Sequence, residues 1–450
     1  MAERGVLVGV DFGTTACKAG VVDLAGVELA HASVPTPWRE VSTGAELDPQ
    51  AIVDTAVQAV DRALADSGDA PVVGLGVTGM AETGVLLDDA DQPVVPAIAW
   101  HDSRGGPEAA HLGDELGADR FTGVTGLPPN PLCTASKYLW LRRNEPATKR
   151  GRRWLNVAEW IVHRLGGRQA TELSLASRTA WLDQHTRAPW SESLEVCGAP
   201  ADLLPERLPA GDPWGTADTT LPRLHGAVLT VAGHDHLCGA VGAGAVGDGD
   251  LYDSCGTAEA LIGQLPPPVD ATEIRRLVDL GVTVGSHVLP GRHALLGAQR
   301  AGIVLQRYLD LLGADRGGCR RALEEATVAL SDSGGIAIDD DEGEEATITG
   351  IGWSPDPAQV WFAALDLVMA RTTDIVRAME TATGPTRRLV VAGGWARGVA
   401  YRARKRAHLG EFTYAGSVTE AGVRGAALLG GLAAQAFPSI DTLPSPSEEP

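Results

Sequence analysis

A glycine-threonine turn that opens a strand, not a helix, sets the first limit on what this chain can fold into. Val6 to Val10 is an apolar run that stops at Asp11. Gly13 then lets the backbone turn without a Cβ penalty, and Thr14 and Thr15 add two hydroxyls. A β-like run, Ala16 to Val22, follows, then a turn at Asp23 to Gly26 and a third extended run, Val27 to Ser33. A Walker loop or a Rossmann fingerprint needs its glycine-rich turn to open a helix, so this order excludes both. What remains is a hairpin whose turn offers backbone N–H groups, two hydroxyls, a carboxylate and Lys18. That set suits a nucleoside triphosphate with magnesium: amides and Lys18 take phosphate oxygens, and Asp11 holds the metal directly or through water. An ordinary hairpin is the competing reading, because Gly-Thr turns are frequent.

At 450 residues the chain is too long for one ordinary core, and two domains are expected. Lys and Arg number 37 against 58 Asp and Glu, a formal charge of −21 that argues against nucleic acid as a partner. The cysteines, Cys17, Cys133, Cys197, Cys238, Cys255 and Cys319, form no CxxC pair, which points to a reducing cytoplasm. No signal-like start precedes the first strand, and no apolar run approaches the ~20 residues of a membrane span. A soluble chain is expected.

Asp48 to Ser67 has helical periodicity, and Val72 to Thr78 reads as a buried strand. A turn at Gly79 to Thr83 holds Glu82, either a solvated turn residue or a ligand group aimed into a cleft. Pro96 to Arg104 brings together Trp100, His101, Asp102 and Arg104. An indole beside an acid and a base is how many sites hold a sugar; a core tryptophan with a surface ion pair is the alternative. Glu108 to about Ser193 is largely helical, and Pro200 to Trp214 is loop-like. Gly226 to Val231 is a strand ended by Ala232-Gly233-His234-Asp235-His236, and a small-residue helix follows from Leu237. Asp235 therefore stands where strand gives way to helix, as an N-cap or as a carboxylate able to accept a proton from an alcohol. The alternating His234 and His236 also raise a metal-hydrolase reading, which lacks a remote ligand set.

Leu251 to Leu265 echoes the opening stretch: an Asp precedes Gly256-Thr257 and a β-like run follows. A duplicated core with one phosphate hairpin in each half would clasp a nucleotide between two lobes. Asp339 to Glu345 is an acidic run that fails the calcium-loop spacing and reads as a solvated loop. Gln359 to Thr381 is an amphipathic helix and Arg388 to Ala392 a strand. Gly393-Gly394-Trp395 then opens a helix through Leu409, a turn that lets a nucleoside approach the backbone. Glu420 to Ala434 is a glycine- and alanine-rich helix, and 437–450 reads as a poorly ordered tail.

Together these stretches resemble the FGGY carbohydrate kinases, of the actin, Hsp70 and hexokinase superfamily. Asp11-Phe-Gly-Thr-Thr resembles the family's first phosphate motif, and Asp88 to Arg104 its "LLD…P…WxDxR" stretch. Gly233-His-Asp235 resembles the catalytic segment, Ser254-Cys-Gly-Thr257 the second phosphate motif, and Gly393-Gly394 with Ala426-Ala427 the adenosine-binding end. The resemblance implies an α/β fold of two ribonuclease H-like (actin-like ATPase) domains. Each would hold a mixed five-stranded sheet flanked by helices, with a cleft between them, over 1–244 and 245–436, followed by the tail.

By the same resemblance the chain is an ATP-dependent kinase, with Mg2+, of a small sugar or polyol, and is a monomer or homodimer. Asp235 would be the general base. Gly13, Thr14, Thr15 and Lys18 would hold donor phosphates from one lobe, and Gly256 and Thr257 from the other. Asp11, with Asp235, would position magnesium, and Gly393, Gly394 and Trp395 would line the adenosine pocket. Met80, Ala81, Glu82, Trp100, Asp102, Asp235 and His236 would form the acceptor site. Xylulose-type members carry Gln-Met-His where this chain has Met80-Ala81-Glu82, and glycerol kinases carry Arg-Glu where it has Ala81-Glu82. Trp395 replaces a residue that is usually small, and 301–350 matches poorly. An actin-like nucleotide switch without small-molecule kinase activity is the alternative.

Overall fold

The structure, a computed structural model, describes residues 5–314, 317–341 and 345–446. Its first sheet begins with the antiparallel strands β1 (Val6–Phe12), β2 (Ala16–Asp23) and β3 (Glu28–Pro35). β4 (Val72–Gly79) adds parallel to β1 on its other side. The two-residue β5 (Gly215–Thr216) lies at the edge, antiparallel to β6 (Val228–His234), which runs parallel to β4. β1 and β4 are continuous small apolar runs because helices cover both faces of the sheet. One cover is α1 (Pro49–Ala65), started by the Asp48 carboxylate accepting from the Gln50 N–H and by proline in the first turn. α2 (Val157–Arg164), opened by an Asn156/Glu159 capping box, lies beside it. β6 runs directly into α3 (Asp235–Gly242).

The second sheet is built from β7 (Asp250–Cys255), β8 (Glu259–Leu265), β9 (Thr283–Ser286), β10 (His293–Gln299), β11 (Arg388–Ala392) and β12 (Thr413–Tyr414). Its order is β9-β10-β8-β7-β11-β12, against β5-β6-β4-β1-β2-β3 in the first. Without the edge strands β5 and β9, both sheets read third-second-first-fourth-fifth, with the opening hairpins antiparallel and the later strands parallel. Each sheet thus has six strands where five were expected. The added strands are short antiparallel partners on opposite edges, too brief to carry a period in the sequence. α4 (Pro357–Thr383) and α5 (Val399–Leu409) share the second sheet's core.

The lobes exchange helices. α3 leaves the first sheet and shares a core with Tyr252, Ile262 and Val390 of the second. α6 (Ala421–Ala433) returns from the far end of the chain onto the first sheet. A β-carbon at Gly9 would strike the Val423 carbonyl, and one at Gly76 the Ala426 carbonyl, so the helix lies directly on strand backbone. The segment that follows does not fray. Phe437 packs with Leu7 and Leu428, and buried Arg424 donates to the Pro444 carbonyl at 2.7 Å. The expectation of a poorly ordered tail is therefore corrected as far as residue 446; 447–450 lie outside the described residues. Asp339 and Asp340 belong to a strand, not a solvated loop, and Asp340 is buried against Tyr308 and Arg307. The remainder of that acidic run at 342–344 lies outside the described residues. No helix among the described residues is long and apolar enough to cross a membrane.

Candidate active site

The first hairpin turn is braced from the segment that follows β3. Thr36 donates to the Gly13 carbonyl at 2.7 Å, and the Trp38 indole to the Thr14 carbonyl at 2.6 Å. The Trp100 indole donates to the Thr14 hydroxyl at 2.8 Å. The first two bonds occupy carbonyls and the third the Thr14 hydroxyl, with Thr15 exposed and Gly13 half-buried at the turn. Sequence reasoning missed Thr36 and Trp38, which carry no motif. Lys18, opposite Asp11 in the hairpin register, reaches Glu420 at the start of α6, 2.7 Å away.

Asp11, next to last in β1, lies against the first turn of α6, where a β-carbon on Gly422 would run into its carboxylate. Its Oδ1 is buried without a hydrogen-bond partner among the described residues. Burial first, then the charge of Asp235, pushes its pKa up to about 7. Two carboxylates crowded together, one with an unsatisfied oxygen, form an all-oxygen donor set that fits a hard divalent cation such as Mg2+. Among the described residues the tightest grouping of potential metal ligands is elsewhere, at Asp253, Cys255 and Glu259. The Lys405 ammonium fills it by pairing with Asp253 and, at 2.9 Å, with Glu259.

Asp235 is placed by an irregularity at the end of β6. The register with β4 slips between Val231 and Gly233, and Gly233 takes φ 87°. Such a bulge re-aims the residues beyond it. A β-carbon there would meet Val288 and Ser174. Thr78 donates to the Gly233 carbonyl at 2.6 Å, and the His234 N–H donates to the Ser174 hydroxyl at 2.9 Å. His234, not Asp235, is the N-cap, and Asp235 is the first helical residue with its side chain 23% exposed. Burial alone would raise the Asp235 carboxyl. His236, His234 and the His236 N–H, which donates to Oδ1 at 2.7 Å, bring it below its ordinary value. Burial pushes His234 itself down to about 4, so the 3.3 Å approach of its Nε2 to Asp235 is that of a neutral ring at neutral pH.

On the other side, Met80 and Ala81 are buried and Glu82 takes φ 59°. Glu82 is no solvated turn residue, since Arg178 Nε donates to its Oε1 at 2.6 Å. Buried Lys137 donates to the carbonyls of Trp100 at 2.7 Å, Leu132 at 2.9 Å and Glu82 at 3.3 Å, tying these segments together. Neither Arg178 nor Lys137 was legible as a site residue. Asp102 is placed apart in function. Its carboxylate has no exposed surface and is held by Arg104 at 2.7 Å and 3.0 Å and by the Ala45 N–H, leaving nothing to offer a sugar. The assignment of Asp102 to the acceptor site is corrected accordingly: it is a buried structural ion pair. Trp100 stacks edge-on with His101 and spends its N–H on Thr14.

In the second lobe Gly256 and Thr257 form the β7–β8 turn, and Gly393, at φ 108°, lies against the Cys255 carbonyl beneath it. A β-carbon at Gly302, in the helix Ala301–Leu311, would meet both the Gly256 carbonyl and the Trp395 indole. A cavity of about 500 Å3 is lined by Thr257, Gly302, Ile303, Gln306, Arg307, Asp310 and Trp395. Gly394 lines a neighbouring one of about 630 Å3. Trp395, with Arg320 4.5 Å over its ring, stands beside both. The glycine approach at 302 could not be read from a stretch without a recognised pattern.

The family model described as "FGGY family of carbohydrate kinases, N-terminal domain" matches residues 6–242. The chain is 28% identical over 420 residues to a glycerol kinase of Symbiobacterium thermophilum, covering 87% of this chain and 82% of that protein. It is 29% identical over 420 residues to a xylulose kinase of Streptomyces rubiginosus, covering 89% and 82%. Among solved structures, xylulose kinase from Rhodospirillum rubrum superposes with a TM-score of 0.86 at 24% identity, over 98% of this chain and 93% of that one, a likeness of fold.

Proposed function

We propose, for a chain that belongs to the FGGY family of carbohydrate kinases, that Asp235 is the base for phosphoryl transfer from ATP to a neutral polyol or ketose. The observation that carries this reading is the bulged end of β6. It delivers a carboxylate, held below its ordinary pKa, to the start of α3 beside Asp11. The acceptor hydroxyl attacks the γ-phosphorus; the new O–P bond forms as the bond to the bridging oxygen breaks and ADP leaves. Asp235 takes the hydroxyl proton and passes it to solvent. Positioning and electrostatics supply most of the rate in such a transfer, and the base contributes ~10²–10⁴.

The Gly13-Thr14-Thr15 turn would hold donor phosphates from the first lobe through the Thr14 and Thr15 amides, since the Gly13 N–H is spent on the Ala16 carbonyl, and Gly256 and Thr257 would do so from the second. Lys18 would join them by leaving Glu420. Asp11, with Asp235, would hold Mg2+, which supplies charge neutralisation for the phosphates. Gly393, Gly394 and Trp395, joined by Gly302 and Gln306, would line the nucleoside pocket. Glu82, Met80, Ala81 and His236 would surround the acceptor. The glycerol and xylulose kinases among the relatives support a short neutral acceptor. An acidic sugar would bring its charge against Glu82 and Asp235. All six cysteines are free thiols, which fits a reducing cytoplasm. Nothing in the site or among the relatives favours the nucleotide-switch alternative.

The test is ADP release with magnesium-ATP against glycerol, a tetritol, D-xylulose and an aldonic acid. One neutral acceptor is expected to raise turnover far above the acceptor-free rate. Equal rates with every compound would overturn the kinase reading.

A further inference from the structure

The short helix Leu173–Ser177 and the residue that ends it, Arg178, reach three places at once. Ser174 accepts the His234 N–H at 2.9 Å, one residue before Asp235. Its hydroxyl is in turn fixed on Glu172 at 2.5 Å. Ser177 accepts the Ser286 N–H at 2.8 Å, and Arg178 Nη1 donates to Thr283 Oγ1 at 3.1 Å, so both grip β9 of the second sheet. Arg178 Nε meanwhile holds Glu82 Oε1 at 2.6 Å. The other Glu82 oxygen has no hydrogen-bond partner among the described residues.

Two features make this pair more than a surface contact. Glu82 occupies φ 59°, which a residue with a β-carbon keeps only where its surroundings impose it, and such strain clusters at ligand sites. The pair is also largely withdrawn from water, the Glu82 side chain being 10% exposed and that of Arg178 21%. Desolvating two charges costs about what their attraction returns, so stability alone does not account for placing them there.

We propose that Arg178 is the positioning residue of the acceptor site. It fixes the Glu82 carboxylate so that its second oxygen meets an acceptor hydroxyl, and through Thr283 it makes that alignment depend on the second lobe. The helix that seats the strand end before Asp235 thereby also seats the acceptor's partner, so base and acceptor are aligned by one rigid element. This rests on the kinase reading above.

The test uses the full chain with Arg178→Gln, Arg178→Lys and Thr283→Val, and the panel acceptor that gives the highest turnover. KM is measured separately for acceptor and ATP. Arg178→Gln is expected to raise acceptor KM about 10- to 100-fold, the value of a hydrogen bond between charged groups, with ATP KM within about twofold. Lysine, lacking the fork, restores part of the loss. Thr283→Val, which removes a single hydroxyl, raises acceptor KM about threefold, and less in the Arg178→Gln background because the two act through one link. A folded Arg178→Gln with unchanged acceptor KM overturns the proposal. Should that variant not fold, an unchanged acceptor KM in Thr283→Val overturns it and a raised one supports it. A wild-type enzyme indifferent to every acceptor overturns the kinase reading and this inference together; the other outcomes bear on the inference alone.

Discussion

The two lobes share a strand order and differ by one residue of offset at the phosphate turn. Asp11 stands two positions before Gly13, and Asp253 stands three before Gly256. Side chains alternate across a strand, so that single step sends the carboxylates to opposite faces. Asp11 comes out against the first turn of α6 beside Asp235, with an oxygen unpartnered among the described residues. Asp253 turns into its lobe's interior, where Lys405, Glu259 and the Tyr401 hydroxyl close a network without exposed surface. Against burial, Lys405 holds Glu259 below its ordinary pKa. The scaffolds match and the charges do not: one hairpin keeps a carboxylate oxygen without a partner among the described residues, and the other locks its carboxylate onto Lys405.

The contrast breaks first if Asp235→Asn keeps its turnover, because the first lobe would then lack the role assigned to it. The expected fall in kcat is ~10²–10⁴ in steady-state assays. Next in size is Lys405→Met, which leaves two carboxylates facing each other in the second lobe. Thermal or urea unfolding should show a loss of about 3–5 kcal/mol, and a variant as stable as wild type would refute the supporting role.

Asp11→Asn should behave in the opposite sense. The folded-state carboxyl keeps its proton to about 7 against an ordinary 3.8, so its contribution to stability is full below 3.8 and gone above about 7. Wild-type stability should therefore decline across that window, and the variant should decline less and melt about 2 °C higher at pH 7.5, while turnover collapses. A lower melting point there would show that Asp11 is a structural group like Asp253. Smallest is Trp395→Ala, expected to raise ATP KM about tenfold through lost base stacking while leaving acceptor KM alone. A lower ATP KM would mean that the indole obstructs the pocket.

Local signals were readable and distant ones were not. The apolar runs ending at Asp11 and at the Gly256 turn, the strand-to-helix step at Asp235 and the long helix after Asp356 all follow from period and turn chemistry. The sequence-level echo between the two Asp-Gly-Thr stretches was visible, but its one-residue offset acquires meaning only once faces are assigned. Trp100 was legible as an indole near a polar site, not as the brace of Thr14. Arg178, Lys137, Thr36 and Gly302 were invisible because each acts on a residue far off in the chain, and such pairings leave no period. Asp102 looked like a ligand for the converse reason: beside Trp100 and His101 its type invites that reading, and only its complete enclosure by Arg104 and the Ala45 N–H excludes it.

The exchange of α3 and α6 also sets a timetable for biosynthesis. The backbone of β1 and β4 is covered by a helix that leaves the ribosome some 340 residues after β4 ends. At typical elongation rates that is a wait on the order of tens of seconds. During it the glycine-lined face of the first sheet has no cover of its own, so the nascent N-terminal half is the stage at which a chaperone holding apolar surface has most to do. A fragment ending near residue 244 should for the same reason be recovered only when a peptide spanning Ala421–Ala433 is supplied alongside it.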